Sequence, residues 1–161
     1  MKILFIGDIV GEPGRKFVKQ QMRGLLQSHT PDLVSANGEN AAGGFGLTPD
    51  IAEELFSLGI HVLTSGNHIW DKKDIEPYLG KQERLIRPAN YPEGSMGFGS
   101  VVVPTADSGK VAVLNLEGRV FMSNLDDPFR KAVQEVERLK KETRVIIVDF
   151  HAAATSEKSA L

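Results

Sequence analysis

The sequence predicts an α/β layered fold built around a largely parallel sheet with one antiparallel excursion. Short apolar runs alternate with segments of helical periodicity, which is the pattern of strand, crossover helix and parallel strand. Two neighbouring runs rich in β-branched residues have no helix between them, which is the pattern of a hairpin. Four of the apolar runs end in clusters of polar residues, and open α/β sheets bind their ligands outside the carboxyl ends of strands.

Ile3 to Ile6 is a continuous apolar run ended by Gly7, as expected of a strand covered on both faces. After a loop from Gly7 to Gly14, Phe17, Val18, Met22, Leu25 and Leu26 recur at helical spacing. Lys16, Lys19, Gln20 and Arg23 fill the other side, so an amphipathic helix is predicted with the apolar stripe on the core. Asp32 to Ala36 reads as the second strand and Asn37 to Leu47 as a glycine-rich loop. Thr48 as cap, Pro49 in the first helical position and Gly59 after Leu58 delimit a helix that turns Ile51, Leu55 and Phe56 inward. His61 to Thr64 is the third strand, and Lys72 to Leu79 a short helix. Ser100 to Val103 and Lys110 to Leu116 form the antiparallel pair, joined through a hairpin from Pro104 to Gly109. Asp127-Pro128 opens a helix with Phe129, Ala132, Val133, Val136 and Leu139 on one side. Arg144 to Asp149 is the last strand, and a new element begins at Thr155.

The 161 residues are 41% hydrophobic and 25% charged, which fits one globular domain over 1–161 with a real core. Nineteen Lys and Arg against twenty-one Asp and Glu give a formal charge of −2, so no extended nucleic-acid surface is expected, while a small phosphate ester remains compatible. The absence of cysteine excludes disulfides, thiolate metal sites and a cysteine nucleophile. Any metal must be held by oxygen and nitrogen. The N-terminal apolar run stops at Gly7-Asp8 without a cleavage site, and no stretch approaches the roughly eighteen apolar residues of a membrane span. A cytoplasmic protein with no membrane contact is the expectation.

The polar clusters are Asp8, Asn37-Gly38-Glu39-Asn40, Ser65-Gly66-Asn67-His68 and Asp149-Phe150-His151. Each alone has a bland reading: Asp8 suits a cap or turn, and a lone histidine is more often structural than catalytic. Three oxygen acceptors in the turn at 37–40 are more than a turn needs. Carboxylate, amide oxygen and imidazole together form a ligand set suited to manganese, iron, zinc or related divalent ions. Glu39 is the natural bridge between two ions about 3.5–4 Å apart, which would clamp a phosphoryl group and acidify a water. His68 need not bind metal, and can contact the phosphate or protonate a leaving alkoxide. His29 and His61 read as structural, and Arg15, Arg87 and Arg119 as surface arginines unless they meet a phosphate. Phe45 and Trp70 either plug their loops into the core or stack on a base. A nucleotide-cofactor fold is disfavoured, because Gly7, Gly11 and Gly14 do not form Gly-x-Gly-x-x-Gly.

At these residues the sequence resembles the YmdB-type metallophosphoesterases, a bacterial branch of the calcineurin-like phosphoesterase superfamily. The segments that carry the resemblance are GDIVG at 7–11, NGENAAGG at 37–44, GNHIWD at 66–71, RPANYP at 87–92, NLEGRVFM at 115–122 and DFHA at 149–152. The resemblance implies a layered sandwich of two mixed β-sheets flanked by helices, and a metal-dependent phosphodiesterase acting on 2′,3′-cyclic nucleotides. It also implies two divalent metal ions, with Asp8 a ligand of one, Glu39 the bridge, Asn40 a first-site ligand, Asn67 and His151 ligands of the other, and His68 the catalytic histidine. Members of the family continue to a Gly-x-His-x-His segment that supplies two further ligands. The domain is therefore expected to be incomplete at its C-terminus, and a homo-oligomer is one way to complete it. Ala153 stands where the family usually has an acidic residue. The competing expectation is a metal-binding regulatory protein with little turnover that acts through RNA-processing or other protein partners.

Overall fold

The computed structural model describes residues 1–105 and 109–161. Its elements are β1 (Ile3–Ile6), α1 (Gly11–His29), β2 (Leu33–Asn37), α2 (Pro49–Ser57), β3 (Val62–Thr64), a 3₁₀ turn (Asn67–Trp70) and α3 (Ile75–Leu79). Then follow β4 (Ser100–Pro104), β5 (Lys110–Glu117), α4 (Pro128–Leu139), β6 (Val145–His151) and α5 (Thr155–Ala160).

Strands β1, β2 and β3 pair in parallel and in sequential order. Crossovers between parallel neighbours are almost always right-handed, so in this order both α1 and α2 fall on one face of the sheet. The other face is left for a second sheet. That sheet has the order β4-β5-β6, antiparallel between β4 and β5 and parallel between β5 and β6, with α4 as the crossover. The α/β expectation holds, and the strands divide between two three-stranded sheets, the first wholly parallel and the second mixed. The expected hairpin from Pro104 to Gly109 falls partly on residues 106–108, outside the described residues; its two strands pair from Ser100↔Leu114 to Pro104↔Lys110.

Strand alternation sorts side chains into three layers. Val34, Ala36 and Leu63 join Val18, Met22, Ala52 and Leu55 beneath the first two helices. Leu33 and Val62 meet Val103, Val111 and Val113 between the sheets. Ala112, Leu114 and Leu116 pack beneath Ala132 and Leu139 of α4.

Three expectations about facing need correction. Phe5 is 44% exposed, because β1 lies at the edge of its sheet and is not covered on both faces. Phe17 and Val133 are 64% and 63% exposed. Each stands one residue off its helix's buried stripe, which runs through Val18 and Met22 in α1 and through Ala132 and Leu139 in α4. Helix α1 also begins at Gly11, earlier than predicted, and α3 begins at Ile75, after an unforeseen 3₁₀ turn. The second helix is bounded as predicted, with Thr48 Oγ1 accepting from Ile51 N at 3.4 Å.

Arg87 is buried, contrary to its surface reading. Its guanidinium donates to the carbonyls of Pro88 (2.8 Å), Ser95 (3.0 Å), Met96 (3.1 Å) and Gly97 (3.5 Å), which closes the loop between β3 and β4. Arg87→Ala leaves those carbonyls unpaired and is expected to lower the unfolding free energy by about 3 kcal/mol, given the strength of charge-assisted bonds. Urea unfolding at neutral pH measures this, and a loss below about 1 kcal/mol would mean that the loop is held by other contacts.

Candidate active site

Layer alternation changes character along the space between the sheets. The register pairs Val111 with Val145, Val113 with Ile147, Asn115 with Asp149 and Glu117 with His151, all on the inward face. Across from them, β2 and β3 end in the pair Asn37↔Thr64. The layer is thus apolar at one end and polar at the carboxyl ends of the strands.

The turn after β2 resolves its surplus of acceptors. Asn37 Oδ1 takes the Glu39 N–H at 3.1 Å and shapes the turn, which releases the Glu39 and Asn40 side chains for other work. Glu39 is fully buried. Its Oε2 accepts the His68 backbone N–H at 3.0 Å, and its Oε1 lies 3.0 Å from His151 Nε2. The same His151 nitrogen lies 2.9 Å from Asn67 Oδ1. Carboxylate, amide oxygen and imidazole therefore converge from three separate loops. Gly66 makes this possible, since a Cβ there would meet the His151 ring and lie 2.6 Å from Glu39 Oε2.

Asp8 and Asn40 form a neighbouring pair, with Asn40 Nδ2 donating to Asp8 Oδ2 at 2.8 Å. Among the described residues no hydrogen bond or ion pair links Asp8 directly to Glu39, Asn67 or His151, and the connection runs through the adjacent positions Glu39 and Asn40. The six predicted residues thus occupy one region in two contacting groups. Among the described residues no three His, Asp or Glu side chains gather closely enough to hold a metal by themselves. The convergence depends on the amides Asn40 and Asn67.

His68 lies on the 3₁₀ turn, where residues three apart eclipse. Asp71 is three residues on, and its Oδ2 lies 2.7 Å from His68 Nδ1. A carboxylate can only accept, so Nδ1 carries the proton and Nε2 is the ring nitrogen left for chemistry. Phe45 packs edge-on to His68 at 5.2 Å, and Trp70 packs edge-on to Tyr91 at 5.5 Å. Trp70 accordingly plugs its loop, whereas Phe45 supports the histidine ring.

Sequence reasoning gave no role to two acids of the inner face. Glu117 is fully buried, and among the described residues its carboxylate makes no well-formed hydrogen bond, with Tyr91 the donor beside it. Burial pushes its carboxyl up to about 7, against the pull of His151. Burial likewise raises Asp149, although the Thr64 hydroxyl donates to it. For His151 burial works downward, but the bond to Glu39 and the charges of Glu39, Glu117 and Asp149 outweigh it and hold the imidazole above its ordinary value. The alternation Val111, Val113, Asn115, Glu117 signals a shared face for Glu117, though not what it faces. Of the arginines set against a phosphate, Arg15 pairs with Glu54 at 2.6 Å and Arg119 reaches the Leu125 carbonyl at 3.4 Å. The backbone N–H of Val34 donates to His61 Nδ1 at 2.9 Å, in keeping with a structural role for that histidine.

The family model for YmdB-like proteins matches residues 4–161. The chain belongs to the YmdB-like family. A Bacillus subtilis (strain 168) relative named 2′,3′-cyclic-nucleotide 2′-phosphodiesterase is 48% identical over 161 residues, covering 100% of this chain and 61% of its own. The crystal structure of a hypothetical protein from Thermus thermophilus superposes with a TM-score of 0.87 at 39% identity, covering 99% of this chain and 61% of that one. A novel phosphatase from Mycoplasma pneumoniae gives a TM-score of 0.89 at 33% identity, covering 99% and 58%. This YmdB-like chain therefore spans about three fifths of the length of the relatives it matches. Among the described residues no helix is long and apolar enough to cross a membrane.

Proposed function

We propose that this chain carries the metal-binding and proton-transfer elements of a phosphodiesterase that hydrolyses 2′,3′-cyclic nucleotides. The observation that carries the reading is the meeting of Glu39, Asn67 and His151 at 2.9–3.0 Å beside a histidine oriented by Asp71. The name of the Bacillus subtilis relative supports the substrate class.

The donor set fits divalent iron, manganese or zinc. Asn40 Oδ1 is a buried acceptor with no hydrogen bond among the described residues, and Glu39 Oε1 has only its contact with His151 Nε2, so a cation would offset the cost of burying both. Asp8 and Asn40 would hold one ion, Asn67 and His151 the other, and Glu39 both. When bound, the ions supply charge compensation for the phosphoryl group and make the attacking water more acidic.

The chain's own residues supply orientation and a proton. Asp71 fixes the His68 ring by accepting from its Nδ1. Hydrolysis adds water across one P–O ester bond: the hydroxyl goes to phosphorus, the departing ribose oxygen takes the Nε2 proton of the imidazolium form of His68, and the proton released by the water replaces it. Glu39 fixes the position of this histidine through its backbone N–H, so the metal ligand and the acid are set by one carboxylate. Glu117 and Asp149 surround His151 with negative charge, which strengthens the imidazole as a donor to a cation.

The test is hydrolysis of 2′,3′-cyclic AMP after treatment with a chelator. Turnover should vanish and return on addition of Mn²⁺, Fe²⁺ or Zn²⁺. Unchanged turnover in chelator would overturn the metal assignment. Tight metal uptake with no hydrolysis of any phosphodiester would favour the regulatory alternative.

A further inference from the structure

Beside the site lies a cleft of about 490 Å³, lined by Asn67 and His151 together with Phe121, Met122, Ala152 and Ala153. Phe121 is anomalous there in two respects. It is 92% exposed, the most open large apolar residue among those described, and its backbone sits at φ 64°, a left-handed conformation that bulky residues rarely adopt. Such strain persists only where the surroundings over-determine it.

The surroundings do so here. Glu157, buried on α5, accepts the backbone N–H groups of Arg119 at 2.9 Å and Val120 at 3.1 Å. Gly118 N donates to the His151 carbonyl at 2.9 Å, and Met122 N to the Arg119 carbonyl at 3.1 Å. Ala153 N donates to Met122 Sδ at 3.3 Å, which closes the loop onto the strand that carries His151. Gly118 lets the carboxylate come this near, because a Cβ there would lie 2.5 Å from Glu157 Oε2. The loop is thus fastened on both sides of Phe121, and the ring is held outward on a fixed mount. Among the described residues it has no aromatic partner, whereas Phe45 is committed to His68.

An apolar plane at the mouth of a cleft that ends in metal-ligand chemistry matches a ligand with a flat π-face at one end and a phosphate at the other. Taking the phosphodiester reading above as its basis, we propose that Phe121 is the platform on which the base of the nucleotide stacks, and so the residue that separates nucleotides from other phosphate esters. Every base has a π-face, and stacking makes no hydrogen bond to a base edge. The platform therefore admits all four bases and rejects esters that lack one.

The experiment uses the 161-residue chain in Mn²⁺ buffer and reads binding by calorimetry, with adenosine 3′-monophosphate and inorganic phosphate as probes. The unaltered chain should bind the nucleotide more tightly than phosphate. Phe121→Ala should weaken the nucleotide on the order of tenfold or more, the range measured for lost base stacking, and leave phosphate within about twofold. Phe121→Trp should restore nucleotide affinity. Phe121→Gly, which tolerates the left-handed backbone, should behave like the alanine variant if the ring and not the loop shape is responsible. Equal weakening of both probes, an unchanged nucleotide affinity in Phe121→Ala, or no binding of the nucleotide by the unaltered chain each overturns the proposal. Because binding is read without turnover, absence of hydrolysis would remove the phosphodiesterase reading alone, and selective loss of the base contribution would still support the platform.

Discussion

Glu39→Gln should lose bound divalent metal and with it more than 100-fold in cyclic-nucleotide hydrolysis, while the metal-free protein unfolds no more easily than the unaltered one. The two halves of this result have one cause. Glu39 is a fully buried carboxylate that accepts the His68 N–H through Oε2 and faces His151 Nε2 at 3.0 Å through Oε1. Without a cation its charge sits among Glu117 and Asp149, which is unfavourable in a low-dielectric layer. Glutamine preserves the shape, can still accept from His68 and sheds a buried charge, which offsets the loss of the charged contact with His151. It cannot bridge two cations as an anion does. Loss of a residue that merely orients a ligand already costs metal sites 10–100-fold, so removal of a carboxylate proposed to bind both ions should exceed that range. Metal content by elemental analysis, turnover, and urea unfolding in chelator check the three parts. A variant that keeps its metal, or unfolds much more readily without it, would show that Glu39 is a structural acid.

His68→Asn should lower kcat by about 10²–10⁴-fold and leave metal content intact, since a positioned proton donor contributes that much and among the described residues the ring's hydrogen bond goes to Asp71, not to Glu39. The link to Glu39 is the backbone N–H, which the substitution retains. Asp71→Asn should act in the same direction by a smaller factor, about 10–100-fold, because it frees the ring without removing it. The discriminating substrate carries a leaving group that needs no proton, such as a nitrophenyl phosphodiester: His68→Asn should cost far less there. A loss equal for both substrates would assign His68 to binding instead of proton transfer.

The motifs pointed to one region of the fold because open α/β sheets gather their loops at the carboxyl ends of the strands. Asp8, Glu39, Asn40, Asn67, His68 and His151 all stand in one region of the fold. What remained hidden depends on geometry that local spacing does not encode. Asp71 meets His68 across a 3₁₀ turn, and no residue in Asn67–Trp70 announces that turn. Glu117 lies in a strand whose alternation was visible, yet which strand faces it is decided by how two sheets stack. Phe17 and Val133 are apolar yet exposed, because hydrophobicity alone does not encode the one-residue offset that separates the buried stripe from its margin. Arg87 satisfies a loop's carbonyls, a role set by the path of the backbone and not by any charge pattern.

The pairing of Asn115 with Asp149 and Glu117 with His151 also governs which lengths of chain the site can accept. Side chains in a strand change sides at each step, so one residue inserted between Val145 and Val148 would turn Asp149 and His151 toward α4 and bring Val148 and Phe150 into their places. Two inserted residues would restore the facing but displace the imidazole by about 7 Å along the strand, beyond the reach of Glu39. Lengthening the connection from Lys140 to Arg144 changes neither. Indels should therefore be tolerated before β6 and eliminated within it, a boundary that a deletion and insertion library scored for folding and for metal uptake would place at Val145.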